Sequence, residues 1–131
     1  MGEIIDTNER WARHLFRGLD NPESELTHEA VSVAAALAEL EVCPDDRVLI
    51  MLPDGPGFID AFIGVAKQGA VPLAVNPHLE AADVAVAAAE VGAGAALITA
   101  QRVQALAGLG TKPPVPVHGP QGLWAAAVRL R

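Results

Sequence analysis

Cysteine is nearly missing from this 131-residue sequence, in which Cys43 stands alone. A single thiol excludes a disulfide framework and a zinc site built from cysteines. Basic residues are also few, because nine Lys and Arg stand against sixteen Asp and Glu and give a formal net charge of −7. The basic surface that a nucleic-acid-binding protein needs is therefore absent. A lone cysteine and an N-terminus too charged for a secretory signal favour a cytoplasmic protein.

Long apolar runs are missing as well. Charged residues, Gly or Pro interrupt every hydrophobic stretch before it reaches the roughly 18 residues that suggest a membrane helix. We therefore expect no membrane span. Hydrophobic residues nevertheless make up 51% of the chain. A chain of this length and composition can bury a core without disulfides or metals.

Hydrophobic periodicity divides the chain into alternating helices and strands. The N-terminal extension 1–25 contains a predicted short helix near 4–19, and residues 26–131 are predicted to form a single α/β domain. In that domain the predicted helices are 27–43, 58–69, 80–91, 100–107 and 121–130, and the predicted strands are 47–52, 70–75, 95–99 and 114–117.

The order of these elements predicts an α/β fold with three layers. Short, continuously apolar strands that alternate with helices form parallel sheets with both faces covered. We therefore predict a mostly parallel sheet of about four strands with helices on both faces. Strand 114–117 contains prolines, which cannot donate to a strand ladder, and we place it at an edge of the sheet.

Local signals mark the ends of several helices. Thr27 is a good N-cap for the first helix, which we expect Pro44 to stop. Gly69 follows the second helix, where a residue in the left-handed conformation is expected, and Gly92 closes the third. Thr99 is the predicted cap of the helix over 100–107.

The corner after the first strand has the layout of a nucleotide-phosphate site. Strand 47–52 runs into Asp54-Gly55-Pro56-Gly57 and then into a helix. A P-loop needs a lysine at its end, but the nearest is Lys67, well down the helix. A dinucleotide fingerprint needs a small third residue, but Asp60 stands there. Since Asp54 also repels phosphate, the corner is interpreted as a structural helix entry.

No other group of side chains has the spacing of a catalytic or metal site. The histidines form no i, i+4 pair, the serines lie in no nucleophile elbow, and the cysteine has no activating base. The carboxylates are interpreted as solvated loop residues, and the aromatic residues as core or docking contacts. These side chains are His14, His28, His78, His118, Ser24, Ser32, Cys43, Asp45, Asp46, Asp54, Trp11, Phe16, Phe58, Phe62 and Trp124. We predict no catalytic, cofactor-binding or metal-ligating residue.

The residues of several motifs, and the order in which the motifs occur, resemble those of a known family. Leu26-Thr27 opens a helix, and the segments that follow are PDDRVLIMLP (44–53), FIDAFIGVAKQGAVPLAVNP (58–77) and ALIT (96–99). This arrangement, over roughly residues 25–99, resembles the N-terminal part of adenylate-forming enzymes. That superfamily includes acyl- and aryl-CoA synthetases, fatty-acyl-AMP ligases and nonribosomal-peptide adenylation domains.

The resemblance also implies what complete members carry beyond this segment. They use ATP, Mg and CoA, and have a Ser/Thr/Gly-rich phosphate loop with a Lys, later ATP motifs and a small C-terminal domain with a catalytic Lys. None of these motifs occurs in this sequence, so no family catalytic residue is transferred to it. We expect no cofactor for the chain in isolation.

Two functions from different classes follow from this resemblance. The first is a truncated, stand-alone N-terminal part of an AMP-forming acyl- or aryl-CoA ligase, connected with fatty acid metabolism and not catalytically competent alone. The alternative is a non-catalytic interaction or regulatory module that retains the ligase scaffold. A fragment of a longer enzyme is a third interpretation. The expected partner is a second copy, in a homodimer, or a complementary ligase fragment.

Overall fold

The structure, a computed structural model, describes residues 27–119 and 121–131. The extension 1–25 lies outside the described residues, and so does its predicted helix near 4–19. The other predictions that fall outside them concern Trp11, His14, Phe16, Ser24 and Leu26.

The described residues form helices and strands in alternation as far as the fourth strand. The helices are α1 (His28–Glu39), α2 (Pro56–Lys67), α3 (Ala81–Val91) and α4 (Val103–Leu106), and the strands are β1 (Arg47–Met51), β2 (Val71–Ala74), β3 (Ala93–Thr99), β4 (Val115–Gly119) and β5 (Gly122–Arg129). Two 3₁₀ turns, Ala100–Arg102 and Ala107–Leu109, flank α4.

The five strands form one sheet in the order β2-β1-β3-β5-β4. Strand β1 pairs in parallel with β2 and β3, whereas β5 is antiparallel to both of its neighbours, β3 and β4. Four of the five strands therefore share one direction. The predicted α/β fold is confirmed, but the sheet is mixed, with two parallel and two antiparallel pairings, and has five strands instead of about four.

Alternate side chains of β1 enter two different hydrophobic clusters. Val48 and Ile50 pack with α1 and α2, whereas Leu49 and Met51 pack with α3 and residues of 103–109. All four side chains are buried. A strand covered on both faces is apolar throughout, and this explains the continuous run in the sequence. The three layers, with helices on both faces of the sheet, are those predicted.

The helix ends follow the local signals in most places. The Thr27 hydroxyl accepts a hydrogen bond from the amide of Ala30 at 3.0 Å, as an N-cap does. Gly69 and Gly92 take φ angles of 81° and 66°, so both predicted helix ends are confirmed. Helix α1, however, ends at Glu39, ahead of Pro44. Its end is formed by a turn at Leu40 and Glu41, not by the proline.

The predicted helix over 121–130 is wrong, because these residues form β5. Alanine favours helices in isolation, but tertiary packing overrides that preference here. The side chains of 125–127 are buried on both covered faces of the sheet, Ala125 and Ala127 on one face and Ala126 on the other. Insertion of β5 between β3 and β4 leaves β4 at the sheet edge, as predicted for the proline-containing strand.

The predicted helix over 100–107 is only partly formed. Its middle is α4, a single turn, and its two flanks are 3₁₀ turns. Thr99 lies at the predicted N-cap position, ahead of the first 3₁₀ turn, but its side chain makes no capping hydrogen bond. Among the described residues, no helix has the length and apolar character needed to cross a membrane.

Candidate functional site

A cleft of about 280 Å³ opens at the carboxyl ends of β1 and β3. Helix α2 leads from β1 to β2 on one side, and α3 leads back from β2 to β3 on the other side of β1. The two connections that follow β1 therefore run in opposite directions across the sheet, and the strand order reverses between β1 and β3. In open α/β sheets, ligands bind outside the carboxyl ends of the strands at such a switch point. This cleft is thus the natural candidate site.

The loop from β1 into α2 forms one wall of the cleft. Gly55 caps α2 with no side-chain hydrogen bond and has a φ of 145°, which side-chain-bearing residues rarely adopt. Pro56 is the first residue of the helix and has no N–H to offer an anion. Asp54 is exposed beside them. This geometry agrees with the interpretation of the corner as a structural helix entry.

The indole of Trp124 lies against the first turn of α2. A Cβ added to Gly57 would be 3.4 Å from Trp124 Cζ3. The indole Nε1 is buried and has no hydrogen-bond partner in the part of the chain that the structure describes. The indole therefore forms an apolar wall of the cleft beside the first turn of α2.

A second cleft, of about 310 Å³, lies on the opposite side of the indole. It is lined by Glu29, Gly119, Gln121, Gly122, Leu123 and Trp124. Glu29 contributes a carboxylate to this cleft, as Asp54 does to the first. No Lys or Arg lines either cleft among the described residues. The local charge at this edge of the sheet therefore disfavours an anionic ligand.

The described arginines form hydrogen bonds with backbone carbonyls. At the amino ends of β1 and β3, Arg47 Nη1 donates to Val91 O at 2.6 Å and Arg131 Nη2 donates to Gly92 O at 2.8 Å. Both carbonyls are at the C-terminal end of α3, where positive charge is favourable. Arg102 and Arg129 likewise donate to carbonyl oxygens, those of Pro77 and Arg131.

Asp60, at the third position of the dinucleotide fingerprint, is not the residue at which α1 and α2 approach each other most closely. Asp60 is buried at 6% exposure and is not without a partner. The tight contact between α1 and α2 is one turn further on, at Gly64. A Cβ there would be 2.7 Å from the Ala30 carbonyl oxygen and 2.8 Å from Val33 Cβ. The glycine that serves close packing here therefore belongs to the contact between the two helices.

The remaining candidate side chains lie apart from one another. His28, His78 and His118 are exposed, and so is the thiol of Cys43. Within residues 27–119 and 121–131, no group of three or more His, Cys, Asp or Glu side chains is arranged to hold a metal ion. The structure thus brings none of these predicted candidates together into a site.

The interpretation of Asp46 as a solvated loop residue is wrong. Its Oδ2 atom accepts a hydrogen bond from the Cys43 amide at 2.8 Å. The same oxygen is 3.7 Å from Arg129 Nη1, with both side chains largely buried. Asp46 therefore joins the turn before β1 to the end of β5. Only the sheet order brings Arg129 to it, and no local pattern in the sequence indicates the pairing.

Similar sequences and structures come from AMP-forming ligases. A family model described as AMP-binding enzyme matches residues 24–121. 4-Coumarate–CoA ligase 2 of Nicotiana tabacum is 40% identical over 52 residues, which are 40% of this chain and 10% of that protein. The salicyl-AMP ligase / salicyl-S-ArCP synthetase of Mycobacterium tuberculosis is 40% identical over 60 residues, 46% of this chain and 11% of that protein.

Among solved structures, a benzoate CoA ligase from Burkholderia xenovorans matches with a TM-score of 0.53 at 31% identity, covering 63% of this chain and 17% of that one. This chain spans about a tenth of the length of the curated relatives that it matches. The predicted resemblance to the N-terminal part of the adenylate-forming superfamily is confirmed. Because the family match includes about three quarters of its residues, the chain belongs to the AMP-binding enzyme family.

Proposed function

We propose that this chain is the N-terminal scaffold part of an AMP-forming acyl- or aryl-CoA ligase and does not form adenylates by itself. The observation that carries the proposal is the extent of the match. Residues 24–121 match the family model, yet the aligned stretch is about a tenth of each ligase. The chemistry of the ligases then depends on the parts of those enzymes that lie beyond this stretch.

The chemistry of the carboxyl-edge cleft supports the same proposal. AMP formation requires positive groups that stabilise the charge on the transferring phosphoryl group. The cleft instead presents the Asp54 carboxylate and the indole of Trp124. Its residues do not fit ATP with Mg, and the described arginines already donate to backbone carbonyls. ATP, Mg, CoA and the substrate acid would then be bound by the other parts of a ligase.

The acid class is proposed from the relatives. Their names refer to 4-coumarate, salicyl-AMP and benzoate, and a further similar structure is a fatty acyl CoA synthetase of Mycobacterium tuberculosis at 26% identity and a TM-score of 0.52, covering 65% of this chain and 17% of that one. We place this chain in the cytoplasmic metabolism of such aryl or fatty acids. Its partner would be the complementary part of a ligase or a second copy of itself.

A second candidate function is a non-catalytic interaction module built on the same scaffold. The observation that favours it is the exposure of α3, in which Val84 is the only buried residue and faces the sheet. Val86 is 58% exposed on the outer face of the helix. Exposed alanines surround Val86 on this surface, which also carries the carboxylates of Asp83 and Glu90. Such a surface, left uncovered, is suited to contact with another protein.

Ligand binding measured by thermal unfolding tests the principal proposal. A ligand present at 100 times its dissociation constant stabilises a protein by about 2.7 kcal/mol. We expect Mg-ATP and AMP at millimolar concentration to leave the unfolding midpoint of the purified chain unchanged. A saturable rise in the midpoint with either nucleotide would contradict the proposal.

A further inference from the structure

Strand β5 lies just beyond the residues that the family model matches. The family match ends at residue 121, and β5 begins at Gly122. Yet β5 is not a peripheral addition, because it lies between β3 and β4 within the sheet. The family match thus includes β3 and β4, the two neighbours of β5, but ends before β5 itself.

The pairing of β5 is extensive on both of its sides. Residues 125–129 pair with Ala95–Thr99 of β3, and β5 also pairs with β4 from Val115↔Ala127 to Gly119↔Gly122. Its middle residues, Ala125, Ala126, Ala127 and Val128, are each at most 2% exposed. Burial to this degree on a two-sided ladder is typical of a core strand.

Both of the hydrophobic clusters beside the sheet include residues of β5. Ala125 and Ala127 belong to the cluster under α1 and α2, whereas Ala126 and Val128 belong to the cluster under α3 and 103–109. Without β5, the buried residues of β3 would lie on an open sheet edge, where unpaired N–H and C=O groups promote aggregation. Strand β4 would also lose its partner in the sheet.

The two outer edges of the completed sheet each carry a proline within the strand. Pro72 lies in β2 and Pro116 lies in β4, and neither residue has an N–H to offer another strand. Edge prolines are a known protection against strand addition. With β5 in place, β3 and β4 are both paired, and the two edge strands, β2 and β4, are poorly suited to pair with a further strand.

We infer that β5 is a built-in closing strand that lets residues 27–131 fold as an independent unit without the rest of a ligase. This inference rests on the proposed function, in which the chain is a scaffold part and not an enzyme. Its physical basis is that β5 supplies, from the chain itself, the pairing and burial that β3 and β4 require.

Native-state hydrogen exchange of the full chain tests the inference directly. Core elements that open only in global unfolding exchange at the slowest rate in the molecule. We expect amides in 125–128 to match the protection of those in β1 and β3 within about tenfold. Exchange in β5 that is 100-fold faster or more would show a loosely attached strand and overturn the inference.

A proline placed in β5 supplies a second test with a matched control. Ala126→Pro removes a donor from a central ladder, and we expect it to abolish the cooperative unfolding transition of the full chain. Leu123→Ala alters an exposed residue of the same strand, at 50% exposure, and should keep that transition. An unchanged transition in Ala126→Pro would overturn the inference. Neither readout involves nucleotide, so failure here is distinct from failure of the proposed function.

Discussion

Glu41 and Gly69 occupy the same position at the ends of two neighbouring helices, and their φ angles are 61° and 81°. In each case the next residue donates back into the last turn, from Val42 N to Leu37 O at 3.0 Å and from Ala70 N to Val65 O at 3.2 Å. This is the hydrogen-bond pattern of a Schellman motif, which needs a left-handed residue. Glycine meets that need without strain, and glutamate does not.

Replacement of Gly69 by valine is expected to destabilise the chain strongly. A β-branched residue at this positive φ costs on the order of 1–3 kcal/mol. The added side chain would also face Pro44, because a Cβ at this position is already 3.4 Å from Pro44 Cβ. Chemical denaturation of Gly69→Val measures the loss.

The control for Gly69→Val is Asp54→Ala at the candidate site. Asp54 is an exposed loop residue, so its replacement should alter the free energy of unfolding by no more than about 0.5 kcal/mol. A larger loss at Asp54 than at Gly69 would mean that the corner after β1 is more than a structural helix entry.

Glu41→Gly should have the opposite effect and stabilise the chain. It removes the left-handed strain of a non-glycine residue, which is worth roughly 1 kcal/mol. The ion pair that is lost, Glu41 Oε2 to Lys112 Nζ at 3.2 Å, is exposed and contributes little. Glu41→Ala is the matched control, because it loses the ion pair and keeps the strain. A higher denaturation midpoint in Glu41→Ala than in Glu41→Gly would refute this explanation.

Self-association, as a two-fold dimer, is the expected state of the purified chain at high concentration. The outer face of α3, where Val86 lies among exposed alanines, is the candidate surface, since closed two-fold pairing is the commonest way to bury exposed apolar side chains. Light scattering over a dilution series should give twice the chain mass at high micromolar concentration, falling toward 13.6 kDa on dilution. A constant mass of 13.6 kDa throughout would rule the dimer out.

Two substitutions of exposed valines test which surface forms the dimer. Val86→Glu places a charge on the outer face of α3, where Val86 is 58% exposed, and should give a monomer. Val31→Glu makes the same change on α1, where Val31 is 51% exposed, and should leave the dimer intact. Loss of the dimer in Val31→Glu alone would move the interface to α1.

Much of the fold is predictable from the sequence because its signals are local. The Thr27 cap acts within three residues, and the glycines at 69 and 92 each satisfy one backbone angle. The continuous apolar run of β1 indicates a strand that is covered on both faces, as the structure has it. Signals of this kind need no knowledge of the rest of the chain.

Two of the incorrect predictions concern features that depend on distant residues. Ala125–Ala127 resemble a helix in isolation, and they form a strand because their backbone pairs with β3 and β4 and their side chains are buried on both faces of the sheet. Asp46 acquires its structural role only when Arg129 is brought beside it. For the candidate site, the sequence predicts the chemistry that is missing at the Asp54 corner, but not the indole of Trp124 that packs there.

ATP–pyrophosphate exchange with the purified chain tests the central claim most directly. The assay would include 4-coumarate, salicylate, benzoate and a series of fatty acids, with a complete aryl-CoA ligase as the positive control. The scaffold proposal predicts exchange at the level of the protein-free background with every acid, because no Lys or Arg among the described residues lines the cleft at the carboxyl ends of β1 and β3. Acid-dependent exchange above that background, in a preparation free of other ligases, would contradict it.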